Sequence, residues 1–220
     1  MSLLTKLRLV FSLGQGIKDL TRGLTEAEAG PDPFRLFGEW FDRARASGLA
    51  LPEAMTLATA SKDGAPSARM VLLKGFDQRG FIFYTNYDSH KCRDLDENPR
   101  AALICYWLLL QRQVRIEGPV ERTSAEESEA YFRTRPRGSQ IGAWASTQSA
   151  PLDRYDQLVR KTKEVEQKFK AQDIPRPSFW GGYVVKPERI EFWQGRANRL
   201  HDRLVYERDG NGWTLTRLNP

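Results

Sequence analysis

From residue 54 onward the chain consists of short β-type runs separated by tight-turn signals. This punctuation confines it to an antiparallel sheet built largely from hairpins. Runs at 55–60 and 67–74 flank Lys62-Asp63-Gly64, where Asp-Gly tolerates the positive φ that a tight hairpin demands. Asp77-Gln-Arg-Gly80 leads to a run at 81–85, and Asp209-Gly-Asn-Gly212 joins runs at 199–208 and 213–218. Further β runs fall at 101–110, 113–121, 182–185 and 189–193. Helical spacing interrupts the series: Phe34, Phe37, Trp40 and Phe41 recur every three to four residues over 34–46, marking one buried face. Ser89 is placed to cap a short helix through 93–97, ended by Asn98-Pro99. Ser124 with Glu127 forms a capping box for a helix that stops before Pro136. Residues 153–172 read as a long charged helix, with Leu158, Val159, Val165 and Phe169 on its inner side. Seven or eight strands with helices between them predict a mainly β fold, a small antiparallel barrel with helices packed outside it.

Composition narrows the class. With 220 residues, 40% hydrophobic and 11% aromatic, the chain fills a core and is not disordered throughout. No apolar run reaches the ~18–20 residues of a membrane span. Two cysteines, Cys92 and Cys105, are too few for a disulfide scaffold, and two histidines form no zinc cluster. A reduced, cytoplasmic, metal-free protein is expected. Residues 1–20 mix Lys6, Arg8 and Lys18 with leucines and carry no convincing signal-peptide pattern. They read as an amphipathic arm, so that 1–32 is a partly flexible N-terminal arm and 33–220 a single domain, divided at Gly30-Pro31-Asp32-Pro33. The net charge of +6 favours anionic partners. Its cations are spread over several elements without a stripe, which argues against nucleic acid.

There is no GxGxxG after a strand, Gly-rich loop ending in Lys-Ser/Thr, Gly-x-Ser-x-Gly or HExxH, so any phosphate must be held by side chains. Four segments offer candidates. Arg69 and Lys74, five apart on one expected strand, face opposite ways and would serve two ligands or straddle a bulge, or are plain surface cations. Tyr84-Thr-Asn-Tyr-Asp-Ser-His-Lys91 runs from a strand end into a helix start, where N–H groups, Thr85, Ser89 and Lys91 suit an anion; the alternative is an ordinary capped helix. Tyr131 and Arg135 share a helix face, with Ser139 just past Pro136, a set suited to a phosphomonoester or else a solvated basic helix end. Arg199, His201 and Arg203 alternate along an expected strand, with Leu200 and Leu204 on its other face and Trp193 upstream. That face either holds a planar ligand, with His201 available for proton transfer, or is simply polar.

An ordered set of motifs adds a resemblance: Arg69-Met-Val-Leu-Leu-Lys74, Phe83-Tyr-Thr-Asn86, Arg112-Gln-Val-Arg115, Tyr131-Phe…Arg135-Pro, Ser139-Gln-Ile-Gly142, Gln148-Ser149, Glu191-Phe-Trp-Gln-Gly195 and Arg199-Leu-His-Asp-Arg203. From about residue 33 to residue 220 the chain closely resembles the pyridoxine/pyridoxamine 5′-phosphate oxidase family. The resemblance implies an FMN-binding split barrel and a homodimer with active sites at the subunit interface. It also implies oxidation of pyridoxine 5′-phosphate and pyridoxamine 5′-phosphate to pyridoxal 5′-phosphate. In such enzymes C4′ of the substrate passes a hydride to FMN, O2 reoxidises the flavin with release of H2O2, and the imine formed from the amine is hydrolysed by water. Carried over by position, FMN falls to Arg69, Met70, Val71, Leu72, Leu73, Tyr84, Thr85, Lys91, Gln113, Gln148, Ser149, Trp193 and Arg203. Substrate phosphate falls to Lys74, Tyr131, Arg135 and Ser139, with Arg199 and His201 beside the pyridine ring as catalytic residues. The chain departs from the family pattern at His90-Lys91, where Arg-Lys is frequent, and in having no Arg-x-x-Tyr before Pro33. Two other readings are a related oxidase of the phenazine-pathway type with another substrate, and a non-catalytic carrier of flavin or pyridoxal phosphate.

Overall fold

The computed structural model describes residues 23–220, and the arm expected over 1–20 lies outside them. In chain order, α1 (Glu26–Ala29) and α2 (Pro33–Ala46) precede β1 (Ala54–Ala60), β2 (Pro66–Leu72), β3 (Gly75–Asp77) and β4 (Gly80–Asn86). Next come α3 (His90–Glu97), β5 (Arg100–Trp107), β6 (Arg112–Arg122), α4 (Ala125–Thr134), α5 (Arg137–Ala145) and α6 (Tyr155–Lys168). Four strands close the chain: β7 (Trp180–Val185), β8 (Arg189–Gln194), β9 (Asp202–Asp209) and β10 (Gly212–Leu218).

All strand pairings among the described residues are antiparallel. The main path runs β10-β9-β8-β6-β5-β1-β2, and a second leaf, β3-β4-β7, joins it through β6. One edge of β6 serves two partners: residues 112–117 pair with β8 and residues 120–122 with β7. Its other edge pairs with β5 over residues 112–119. The change of partner falls at Gly118-Pro119, where the β7–β8 connection crosses. There Lys186 N donates to the Pro119 carbonyl at 2.8 Å and Glu188 N to the Glu117 carbonyl at 2.9 Å. A Cβ on Gly118 would collide with the Lys186 carbonyl oxygen and stand 3.0 Å from Glu188 N, so only glycine fits beneath this crossing. The sheet is thereby curled and split into two leaves rather than closed.

The interior is filled chiefly by α2. Asp32 caps it by accepting from Phe34 N at 2.9 Å, Pro33 occupies its first turn, and Phe34, Leu36, Phe37, Trp40 and Ala44 are buried. The Phe37 ring lies 4.8 Å from both Phe76 and Phe81, and Trp40 meets Phe192 edge-on at 5.2 Å. A second, smaller core of Phe132, Ile141, Phe169, Ile174 and Trp180 fixes α4 and α5 against β7. Residues before α2 also pack on the main core: Leu24 and Ala29 are buried, and Tyr206 donates to the Gly30 carbonyl at 2.8 Å. Packing is therefore continuous across Gly30-Pro31-Asp32-Pro33. Among the described residues no helix is long and apolar enough to cross a membrane.

The hairpin at Gly64 (φ 88°) and that at Gly210 (φ 54°) form as the turn chemistry dictates. Four expectations need correction. β9 begins at Asp202, not 199; Asn198 and Arg199 take positive φ in a short 3-10 turn, and Leu200 is 68% exposed instead of facing the core with Leu204. Arg199, His201 and Arg203 therefore do not alternate along one strand. β2 ends at Leu72, leaving Lys74 in the link to β3, so strand alternation does not separate it from Arg69. β5 ends at Trp107, and a 3-10 turn covers Leu108–Leu110. In α6, which ends at Lys168, Val159 is exposed, while Leu158 and Val165 are half-buried and Phe169 just beyond is buried.

Gly118→Ala should destabilise the protein by at least about 1–3 kcal/mol, the usual penalty of overpacking, because the obstacle is backbone. Thermal melting is expected to fall by several degrees; an unchanged Tm would show that the β7–β8 connection yields freely.

Candidate functional site

A cavity of about 630 Å³ opens between β2, β4, α4, α5 and β7. Its lining includes three cations, Lys74, Lys91 and Arg135, and no carboxylate. Polar neutral groups on it are Tyr84, Thr85, Asn86, Tyr131, Thr134, Ser139, Ser146 and Gln148; Met70, Val71 and Leu72 of β2 and Trp180 of β7 add apolar surface.

Lys91 is 7% exposed, in the first turn of α3. Its Nζ donates to Ser89 Oγ at 2.8 Å, Thr85 Oγ1 at 3.0 Å and Gln148 Oε1 at 3.0 Å, all neutral oxygens. Ser89 thus stands at the cap of a helix that starts at His90, but its hydroxyl serves Lys91 and not the helix N–H groups. Burial pulls the Lys91 pKa below the ordinary lysine value, and the nearby charge of Arg69 pulls it the same way.

Arg135 follows α4 and lies with its guanidinium 4.5 Å from the Trp180 ring centre. Among the described residues its Nη1 is buried without a hydrogen-bond acceptor, and burial lowers its pKa. A buried guanidinium nitrogen lacking an acceptor implies a ligand that supplies one. Tyr131 sits one helical turn before Arg135 and stacks on Tyr84 at 4.0 Å, with Trp180 parallel to both. Burial pushes the Tyr84 phenol up to about 12, so it stays protonated and able to donate at neutral pH. Ser139 lies in the first turn of α5. Lys74, Tyr131, Arg135 and Ser139 therefore line one cavity, as the phosphate-binding reading requires.

Arg69 is held just outside this lining. Its Nη1 donates to Thr59 Oγ1 at 2.6 Å and its Nη2 to Ser67 Oγ at 2.6 Å, while buried Asp94 stands 3.7 Å from Nη2. Leu73 is a core residue, and Ser149 is an exposed turn residue at φ 69°. Neither lines the cavity.

A second group of candidate residues lies elsewhere. The register β6-β8-β9 sets Gln113 opposite Trp193 and Trp193 opposite Arg203, one row across three strands. Beyond it, His201 packs on Trp193 at 4.6 Å between ring centres, and its Nδ1 accepts from Arg196 N at 3.1 Å. That bond leaves Nε2 to carry the proton of the neutral ring. Arg199 stands at the head of this loop. Residues that the sequence reading did not single out include Asn86, Thr134, Ser146 and Trp180 in the cavity, and Thr59 and Asp94 behind Arg69. Trp180 was legible only as an aromatic before a Gly-Gly pair; its role depends on β7 pairing with β4.

The donor set fits a phosphate such as that of the FMN the resemblance implies. A buried ammonium held only by neutral oxygens, an acceptor-less guanidinium nitrogen and a carboxylate-free lining all favour phosphate.

Comparison with known proteins gives the following. Residues 41–169 match the family described as Pyridoxamine 5′-phosphate oxidase, and residues 180–220 match the Pyridoxine 5′-phosphate oxidase C-terminal dimerisation region. The chain is 61% identical to the Pyridoxine/pyridoxamine 5′-phosphate oxidase of Rubrobacter xylanophilus, over 92% of this chain and 94% of that one. It is 53% identical to the protein of the same name from Psychromonas ingrahamii, over the full length of both. Among solved structures it is similar to PhzG from Burkholderia lata 383 in complex with tetrahydrophenazine-1-carboxylic acid, with TM-score 0.85, 33% identity and coverage of 90% and 98% of the two chains. A pyridoxamine 5′-phosphate oxidase-related, FMN binding protein from Nostoc punctiforme shares the fold at TM-score 0.71 and 17% identity, over 86% of this chain and 98% of that one.

Lys91→Met removes a buried charge that no carboxylate among the described residues balances; Thr85 already donates to Gln148 at 3.1 Å and Ser89 Oγ to Cys92 Sγ at 3.3 Å, so those oxygens keep partners. The variant apoprotein should melt at or above the wild-type temperature at pH 7 while its affinity for FMN falls at least about tenfold. Because the folded Lys91 pKa lies below the unfolded value of 10.5, the unfolded chain binds the proton more readily. The wild-type handicap therefore shrinks as pH rises toward 10.5 and the two melting temperatures converge. A variant less stable than wild type at pH 7, or a gap that widens with pH, would refute this account.

Proposed function

We propose a function from one premise: the chain belongs to the pyridoxine/pyridoxamine 5′-phosphate oxidase family. The protein is an oxidase that converts pyridoxine 5′-phosphate and pyridoxamine 5′-phosphate to pyridoxal 5′-phosphate. The observation that carries this reading is that Lys74, Tyr131, Arg135 and Ser139 line one cavity, with Arg135 Nη1 buried and lacking an acceptor among the described residues. A substrate without phosphate leaves these groups idle, which speaks against the phenazine-type alternative despite the similarity of fold.

In this reading Lys74 and Arg135 neutralise the substrate phosphate, and the hydroxyls of Tyr131 and Ser139 donate to its oxygens. The cofactor is FMN; when bound it supplies the two-electron acceptor for the hydride leaving C4′ and returns the electrons to O2 as H2O2. Lys91, Thr85 and Gln148, with Arg69 behind them, hold its phosphate, while Met70, Val71, Leu72 and Tyr84 complete its surroundings; Leu73 and Ser149, off the cavity lining, are given no contact with it. Gln113, Trp193 and Arg203 serve its ring end. Arg199 and His201 flank the pyridine ring, His201 with Nε2–H available as donor because Nδ1 is occupied by Arg196 N. The cavity opens between β2, at the far end of the main path, and the second leaf, whereas the Trp193 row lies on β6, β8 and β9; the family's dimerisation region spans residues 180–220. The active site is accordingly assembled across a homodimer interface, one protomer giving the cavity and its partner the row. The free, buried cysteines suit a cytoplasmic location.

The test is anaerobic. The FMN-loaded protein mixed with pyridoxine 5′-phosphate should lose its visible flavin absorbance and regain it on admission of air. FMN bound without bleaching would refute the substrate assignment. Arg135→Ala should raise KM about 10–100-fold, the worth of one or two charge-assisted hydrogen bonds, with FMN binding kept. Arg199→Ala should keep the flavin and lose turnover; a protein purified without flavin would show that Arg199 belongs to the cofactor set instead.

A further inference from the structure

We propose that Glu191 is a positioning residue for the ring end of the flavin site, acting through Arg203. The inference rests on the reading above that Arg203 meets the cofactor.

Glu191 lies at the middle of β8 and is 2% exposed, yet it carries a carboxylate. Its Oε1 accepts from Arg203 Nε at 2.8 Å, and Oε2 accepts from Arg189 Nη2 at 3.3 Å and stands 3.6 Å from Arg115 Nη1. The strand register explains the convergence. Glu191 is opposite Arg115 on β6, and two residues along the same face Trp193 is opposite Arg203 on β9. Arg203 thus reaches back one row to the carboxylate. Its Nη1 is held in turn by the Asn219 carbonyl at 3.0 Å. With Nε and Nη1 both engaged, the plane of the guanidinium is set beside Gln113 and Trp193 before any ligand arrives.

The surrounding charges balance. Glu117 accepts from Arg115 at 2.6 Å and from Arg189 at 3.3 Å, and Glu207 stands 3.7 Å from Arg189. Arg115, Arg189 and Arg203 are therefore matched by Glu117, Glu191 and Glu207. Of the three carboxylates, Glu191 alone is within ion-pair distance of Arg203 among the described residues. Burial raises the Glu191 pKa, but the Arg203 bond and the three guanidinium charges outweigh it and hold the carboxyl below the usual range. It stays ionised at neutral pH.

Glu117 supplies the control, since it joins the same network but does not touch Arg203. Apoproteins of wild type, Glu191→Gln, Glu191→Asp, Glu117→Gln, Arg203→Lys and the Glu191→Gln/Arg203→Lys double variant would be titrated with FMN, following the quenching of flavin fluorescence. Melting of each apoprotein would be recorded alongside. Glu191→Gln should weaken FMN binding about tenfold, as expected for misplacing one charge-assisted hydrogen bond. Glu117→Gln should leave the affinity within about twofold, whatever either change does to Tm. The double variant should bind no more weakly than Arg203→Lys alone, because the first change acts through the second. Equal effects of Glu191→Gln and Glu117→Gln, or additive losses in the double variant, would overturn the proposal and leave Glu191 a structural ion pair. If Glu191→Gln does not fold, Glu191→Asp decides, since it keeps the charge but draws the carboxylate back by one methylene; unchanged affinity overturns the proposal. Arg203→Lys binding FMN like wild type would instead refute the assignment of Arg203, a distinguishable failure.

Discussion

A backbone carbonyl occupies the space where any side chain on residue 118 would begin, and the arrangement of the two leaves follows from that close approach. Because Gly118 lets the β7–β8 connection cross against β6, β7 pairs with one end of β6 and β8 with the other. Without the crossing, one of these strands would lose its ladder. β7 carries Trp180 to the cavity, and β8 carries Glu191 and Trp193 to the polar row. Consecutive strands thus carry Trp180 and Trp193 on different leaves. Their relation is set by backbone hydrogen bonds at Glu117 and Pro119 and does not depend on a flexible loop.

The two halves are charged on opposite principles. The cavity concentrates Lys74, Lys91 and Arg135 without a carboxylate, an arrangement that disfavours the empty fold and is relieved by an anion. The shared face of β6, β8 and β9 interleaves three arginines with three glutamates, which balance one another. A site that captures phosphate needs uncompensated charge, whereas a surface that presents one guanidinium at a fixed angle needs that charge anchored. Both conditions are met in one sheet because they fall on different strands.

Much of this was legible in the sequence, and the misses have physical causes. Asp63-Gly64 and Asp209-Gly210 specified hairpins because their turn geometry is local, and the spacing of Phe34, Phe37 and Trp40 specified a buried helix face for the same reason. Tyr131, Arg135 and Ser139 were readable as a phosphate set from helix spacing and a Pro break, and they do converge. By contrast, the anchoring of Arg69 by Thr59 and Asp94 depends on β1 and α3 meeting β2, a long-range contact with no local signature. The pairing of Ser124 with Glu127 formed only half of its capping box: Ser124 accepts from Glu127 N, but the Glu127 carboxylate is taken by Arg79 across 48 residues. Tertiary ion pairing outweighed the local cap.

The most informative failure is at Asn198 and Arg199. Alternation of Arg199, His201 and Arg203 is an acceptable strand pattern, and nothing local forbids it. The chain nonetheless turns through two successive left-handed residues, φ 56° and 60°, before entering β9. Asparagine tolerates that region; arginine there carries strain of order 1–3 kcal/mol that the surroundings must impose. What imposes it is on either side: Arg196 N is tied to His201 Nδ1, His201 packs on Trp193, and Asp202 is bound by Arg196 and Arg217. A regular strand would place Arg199 and His201 in ladder positions along β9, whereas the turn sets His201 against Trp193 and lifts Arg199 off the sheet. Local preference gives way at the residues to which turnover is assigned, as expected where position matters more than stability.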